Sequence, residues 1–190
     1  MISDSEYQDI MKNIGAMRNE TVDTSLGPLP KSVEFLWICL DHAKDDADRR
    51  KLFPLLLREC SRSKNNVAYL HFLRRSANEM SDDPIAVSGA AYGIAIVDLS
   101  AKHEALALAN QAVKLALAQD RLVKHSATNL IRIALLLDAY DYVSLGISAL
   151  LNERGAIRAE DSSYQFDFLD KIDPDRVDRR MLDVYRALSK

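Results

Sequence analysis

Five side chains suited to holding an anion fall close together late in the chain: Arg121, His125, Thr128, Asn129 and Arg132. Four of them recur at i, i+4, i+7 and i+11, the spacing that places residues along one side of an α-helix, and Asn129 lies beside them. Guanidinium groups grip carboxylate or phosphate through paired N–H bonds. Imidazole, hydroxyl and amide groups supply further polar contacts. The same segment carries Leu122, Leu130, Ile133, Ala134 and Leu137 around its other side. The stripe is therefore read as partner-binding and suited to an anionic group; the plainer reading is a solvated helix face.

Other reactive residues are less telling. Asp41, His42, Asp45 and Asp46 crowd together, and oxygen ligands suit hard cations. They also fall where one helix ends and the next begins, where acids serve as caps, so no metal is expected. His71 and His103 lack a second His one turn away. Cys39 and Cys60 form no CxxC pair. Both sit in apolar runs, where cysteine packs as a small hydrophobe, and no disulfide is expected. There is no GxSxG elbow, no GxxxxGK phosphate loop, and no GxGxxG after a strand. The reading is a non-enzyme without a cofactor.

The elements that would position the stripe are helices. Leu and Ala dominate the 190 residues, with only six Gly and five Pro; the first two favour helix and the last two break it. Apolar spacing predicts helices over 4–18, 31–43, 47–60, 66–80, 84–98, 100–118, 122–137 and 141–151. A short helix near 164–169 and a last one opened by Asp173-Pro174 would follow. Ser3 with Glu6 reads as a capping box, and Asp83-Pro84 as a cap with proline in the first turn. Pro54 predicts a bend or break in the third helix. Residues 20–30, with Gly27-Pro28-Leu29-Pro30, read as a loop and hinge. Ala86, Gly89, Ala90 and Gly93 would let a neighbouring helix approach closely. The fold class is all-α, about eight to ten helices in antiparallel hairpins, with no sheet.

Charge excludes more than it selects. The net charge is −3. Residues 31–75 carry 10 Lys/Arg against 6 Asp/Glu, while residues 1–30 carry 2 against 5. A sequence pI near 5.8 argues against nucleic acid, whose binders are usually basic throughout. The start of the chain lacks a basic stretch followed by an apolar run, so no signal peptide is expected. The uncharged stretch 85–97 is too short to span a membrane. A cytoplasmic protein is expected.

A recurrence orders the helices. Ala68, Ala105 and Val143, 37 and 38 residues apart, each fall early in the second helix of an expected hairpin. Periods of this size mark stacked repeats. Ala105 follows Gly93 by 12 residues, and Ala112 follows Ala105 by 7, with Ala109 between. On these residues the segment 89–117 resembles a tetratricopeptide repeat, and Asp138-Ala139-Tyr140-Asp141 looks like that family's hairpin turn. HEAT-like and unclassified helical stacks stay open beside it. The resemblance implies a right-handed α-solenoid: an N-terminal helix pair (1–45), three hairpins (46–152) and C-terminal capping helices (153–190) in one domain over 1–190. It also implies a protein- or peptide-binding scaffold, with Val87, Ala90, Ile94 and Val97 on the ligand-facing side of the fifth helix; these residues are all apolar, and the plainer, favoured reading is that this face is buried against its neighbours. The alternative is a self-associating protein, a homodimer through Trp37 or the C-terminal helix.

Overall fold

The computed structural model describes residues 2–152 and 168–188. Nine α-helices and one small β-hairpin occur among them, in the order α1 (Asp4–Met17), β1 (Thr21–Thr24), β2 (Gly27–Pro30), α2 (Lys31–Asp41), α3 (Asp46–Arg62), α4 (Asn66–Glu79), α5 (Pro84–Val97), α6 (Lys102–Ala118), α7 (Val123–Leu136), α8 (Tyr140–Asn152) and α9 (Arg179–Leu188). Two compact units divide the chain, Met1–Met80 and Ser81–Lys190. The expected block of three hairpins over 46–152 is thus shared between them.

In the N-terminal unit, α1 packs on α2, α2 on α3 and α3 on α4. Leu36, Leu40, Leu52, Leu56, Phe72 and Leu73 fill its core. The capping box at Ser3 and Glu6 is present, with the Glu6 carboxylate accepting from the Ser3 N–H at 2.8 Å. Asp45 caps α3 by accepting from the Asp48 N–H at 2.8 Å. Helix α3 runs unbroken through Pro54, which stands on the exposed side. There, water can take the carbonyl that proline leaves without a donor.

The segment read as a loop and hinge is instead a β-hairpin, which corrects the expectation of no sheet. β1 and β2 pair antiparallel with Val22 opposite Leu29 and Thr24 opposite Gly27. Thr and Val favour extended backbone, and the two prolines are tolerated because each strand is an edge. Gly27 supplies the turn with φ of 90°, a conformation that side chains disfavour. Thr24 closes the turn: its Oγ1 donates to the Gly27 carbonyl at 2.7 Å and accepts from the Leu26 N–H at 3.1 Å. Asn65, the cap of α4, accepts from the Ala68 N–H at 3.0 Å and donates its amide to the Leu26 carbonyl at 3.1 Å.

In the C-terminal unit each helix from α5 to α8 packs on the next, α5 also meets α7, and α6 also meets α8. That pattern puts α5 and α7 in one layer and α6 and α8 in the other. Helix α9 packs on α8. Ala105, Ala109 and Ala112 of α6 are fully buried, as are Ala90 and Ala91 of α5; small side chains let these helices approach closely. Ala68, Ala105 and Val143 lie at the third or fourth residue of α4, α6 and α8, all fully buried. Asp83 caps α5, with Pro84 in the first turn. The helix expected from residue 100 is preceded by a 3₁₀ turn that Asp98 starts, its carboxylate accepting from the Ser100 N–H at 3.0 Å.

Helices α6 and α7 end alike. Arg121 N–H donates to the Ala116 carbonyl at 3.1 Å, and Ala139 N–H to the Ala134 carbonyl at 2.8 Å. Asp120 and Asp138, with φ of 49° and 57°, occupy the left-handed position that such endings require. Helix α9 begins later than the Asp173-Pro174 signal suggests. Asp173 caps only a turn, through the Asp175 N–H, while Asp178 accepts from the Arg180 and Met181 N–H groups and opens the helix. Most of the helix expected near 164–169 lies outside the described residues. Leu169–Lys171 form a 3₁₀ turn.

Candidate functional site

A groove of about 420 Å³ lies in the C-terminal unit between α5 and α7, lined by Ile85, Gly89 and Tyr92 on one wall and His125, Thr128, Asn129 and Arg132 on the other. Tyr92 and Arg132 carry it into a second stretch of about 420 Å³, where Ile96, Leu135, Leu136, Tyr140, Phe168 and Lys171 join them. Four of the five residues singled out from sequence therefore share one lining.

Arg121 does not belong to it. Helix α7 starts at Val123, and Asp120 and Leu122 on either side of Arg121 both have positive φ. The backbone there leaves helical phase, so counting four residues from Arg121 to His125 does not bring them onto one face. The Arg121 guanidinium instead lies 3.8 Å from the Asp83 carboxylate at the cap of α5.

The α7 wall is built from its own helix and from α5. Asn129 is buried, and its amide donates to Ser88 Oγ of α5 at 2.8 Å. The same amide reaches His125 Nε2 at 3.4 Å, one turn back. With Asn129 donating, the neutral imidazole carries its proton on Nδ1. Groove walls strip water from the ring although part of it stays exposed; this desolvation, with the Arg132 charge second, pushes the His125 pKa below its ordinary value. Thr128 is 3% exposed, and its buried hydroxyl has no hydrogen-bond partner among the described residues.

The α5 wall is apolar and open. Ile85 is 49%, Tyr92 38% and Ile96 56% exposed. With Gly89 they recur at i, i+4, i+7 and i+11, along the side facing α7. The apolar side that the resemblance would turn to a ligand is instead packed inward, as its composition favours: Val87, Ala90 and Ile94 are fully buried and Val97 is half-buried. Gly89 corrects a second expectation. A Cβ built there meets nothing within 4 Å, so no helix crosses at this glycine. A close crossing lies at Gly146 of α8, where a Cβ would come 2.5 Å from Ile131 Cγ1 and 3.1 Å from the Ala127 carbonyl oxygen.

The sequence signal for the α5 wall is weak for a physical reason. Helix α5 is apolar on every side, so it has no amphipathic phase from which to read the outer face. Tyr140, Phe168 and Lys171 come from a helix start and a 3₁₀ turn, and only tertiary packing brings them to the groove.

Remaining candidates are spoken for locally. Asp41 pairs with Arg75 at 2.7 Å, Asp46 with Arg49 at 3.1 Å, and His42 Nδ1 meets the Ile38 carbonyl at 2.8 Å. No group of three His, Cys, Asp or Glu converges among the described residues. The basic residues of 31–75 are spent in part on the same unit: Arg49 and Arg75 also pair with Glu79. Arg62 joins Arg18 on the buried Glu59, with bonds of 2.6 and 2.9 Å. Burial works against the Glu59 charge, but the two guanidiniums outweigh it and hold its pKa below the ordinary range. Cys60 is buried, which pushes its thiol up to about 12; burial raises Cys39 as well. No helix among the described residues is long and apolar enough to cross a membrane.

Compared with protein-family models, curated proteins and solved structures, the chain matches none.

Proposed function

We propose that the chain is a non-catalytic scaffold of the helical-repeat kind, tetratricopeptide-like in its stacking, which docks a protein or peptide in the α5–α7 groove. One observation carries this reading. An exposed apolar stripe on α5 faces a polar stripe on α7 across open space within one unit. Soluble proteins seldom leave large apolar side chains grouped along one helix face without a use for them. The two-layer packing of α5 to α8 supports the solenoid reading, since stacked hairpins place alternate helices side by side. Free thiols at Cys39 and Cys60 suit a reducing compartment such as the cytoplasm.

Self-association through Trp37 or the C-terminal helix has less support. Trp37 already packs edge-on against Phe72 at 5.1 Å, and Leu182 and Tyr185 of α9 are fully buried.

Photo-crosslinking tests the docking face. Tyr92 replaced by benzoylphenylalanine should form adducts with a discrete partner in cells, and the same replacement at the exposed Lys114 of α6 should not. Equal labelling at both positions, or none at Tyr92, would overturn the reading.

A further inference from the structure

We infer that the α5–α7 groove receives α5 of a second copy of this chain, the two α5 helices lying antiparallel with each Tyr92 seated over the other copy's Gly89. This rests on reading the groove as a docking face and names the partner.

Register is the first ground. Ile85, Gly89, Tyr92 and Ile96 all stand on the exposed side of α5. Their spacings of four, three and four residues are those of a seam along which two helices mesh side chains. That series reads alike from either end. A two-fold axis crossing α5 midway between Gly89 and Tyr92 therefore sets Ile85 of one copy against Ile96 of the other, and Gly89 against Tyr92. Both copies present the same patch, as a closed two-fold interface requires. Parallel pairing would instead set each Tyr92 against its own counterpart and leave both glycines unfilled.

Shape is the second ground. A Cβ built on Gly89 meets nothing within 4 Å among the described residues, so the fold leaves a hole there. Ile85 and Tyr92 bound it along α5, and His125 and Asn129 stand opposite on α7. Tyrosine has an apolar ring and a polar tip, and this hole is apolar along α5 and polar on its α7 wall. Glycine weakens a helix interior, and a knob received from a second copy gives residue 89 a contact. At the Ile96 end Leu136 of α7 is exposed and lines the groove, which widens the apolar seat for the other copy's Ile85.

Area sets the strength. From Ile85 to Ile96 the stripe runs about 16 Å at 1.5 Å per residue. Two neighbouring helices span about 20 Å across, so each copy offers a face on the order of 300 Å² in projection. A stable complex buries about 800 Å² per partner. The dimer is accordingly weak and reversible, forming as the chain becomes concentrated.

Sedimentation equilibrium of the full chain, from micromolar to near-millimolar concentration, should show a monomer–dimer equilibrium. Gly89→Tyr fills the hole and Tyr92→Gly removes the knob; each should weaken the dimer about tenfold or more. The double variant Gly89→Tyr/Tyr92→Gly exchanges knob and hole and should recover most of the affinity. Circular dichroism should show native helicity in all three. Register is read by mixing Ile85→Cys chains with Ile96→Cys chains, both carrying Cys39→Ser. Mild oxidation should join residue 85 of one copy to residue 96 of the other, as mapped by mass spectrometry. Bonds joining 85 to 85 instead would overturn the antiparallel pairing. A dimer indifferent to Gly89→Tyr would lie on another face and overturn the inference. A chain that stays monomeric throughout would overturn it too. In that case a benzoylphenylalanine at position 92 that captures a different protein would keep the groove as a docking face, and one that captures none would overturn both readings. Adducts from position 92 to residues 153–167 of the same chain would assign the groove to that segment and overturn the inference.

Discussion

His125 is held neutral by its surroundings. Groove walls and the Arg132 charge both disfavour the imidazolium. Its ring should therefore titrate below the ordinary 6.5 in an NMR pH series; a midpoint at or above that value would contradict the geometry. Because the folded state resists protonation at this residue, its effect on stability is absent well above pH 6.5. Below that value the unfolded chain takes up a proton that the folded chain resists, and stability falls. Replacing His125 with Gln should remove this loss from the pH–stability curve.

Glu59 works in the opposite charge state. Its folded pKa is depressed, against its own burial, by Arg18 and Arg62. The resulting stabilisation is fully present above the ordinary glutamate value of 4.5 and is lost as pH falls through the lower folded value. Glu59→Gln should flatten the acid limb of the curve. Arg18 is 44% exposed, so solvent screens part of its attraction; removing the carboxylate should cost about 1–2 kcal/mol at pH 7. An unchanged acid limb in chemical denaturation would show that the charge is unimportant.

At the scale of elements, two glycines in helices behave differently. Gly89 faces open space, so Gly89→Ala should raise stability by about 0.5–1 kcal/mol. Gly146 faces Ile131 and the Ala127 carbonyl, so Gly146→Ala should lower it by about 1–2 kcal/mol through overpacking. Thermal melts of the two variants should move in opposite directions. From sequence alone both read as glycines in apolar helices, and only the neighbouring helix distinguishes them.

The same contrast explains what could be read in advance. Caps were legible at Ser3, Asp45 and Asp83, where one short polar side chain precedes an apolar run and the capping bond is local; before α6 and α9, where several polar residues crowd the start, the capping residue was misplaced. The polar face of α7 was legible from His125 to Arg132, since it interrupts an apolar pattern. Arg121 was misplaced because two left-handed residues, neither of them glycine, break the helical count. The β-hairpin was hidden by its prolines, which suggest a loop until β2 is seen to have a single neighbour.

For the whole molecule, the division at Met80 and Ser81 carries a prediction. Each unit has its own core: Leu36, Leu52, Leu56 and Phe72 in one, and Ile94, Ala105, Leu130 and Ile147 in the other. The fragment 81–190 should keep its helical circular dichroism and melt cooperatively. A fragment that is unstructured in isolation would show that the second core depends on the first unit. Within the C-terminal unit most packing joins helices adjacent in sequence, a local topology that favours fast folding.

Asn65 gives the N-terminal unit a different kind of property. Its oxygen starts α4, and its amide nitrogen holds the carbonyl of Leu26, 39 positions earlier in the chain. One side chain thus ties a local helix start to a distant hairpin, so the two are expected to open together as one cooperative segment. Asn65→Asp keeps the cap and removes the amide donor. Hydrogen exchange should then quicken in β1 and β2 while α4 stays protected, separating in time two events that the native residue joins.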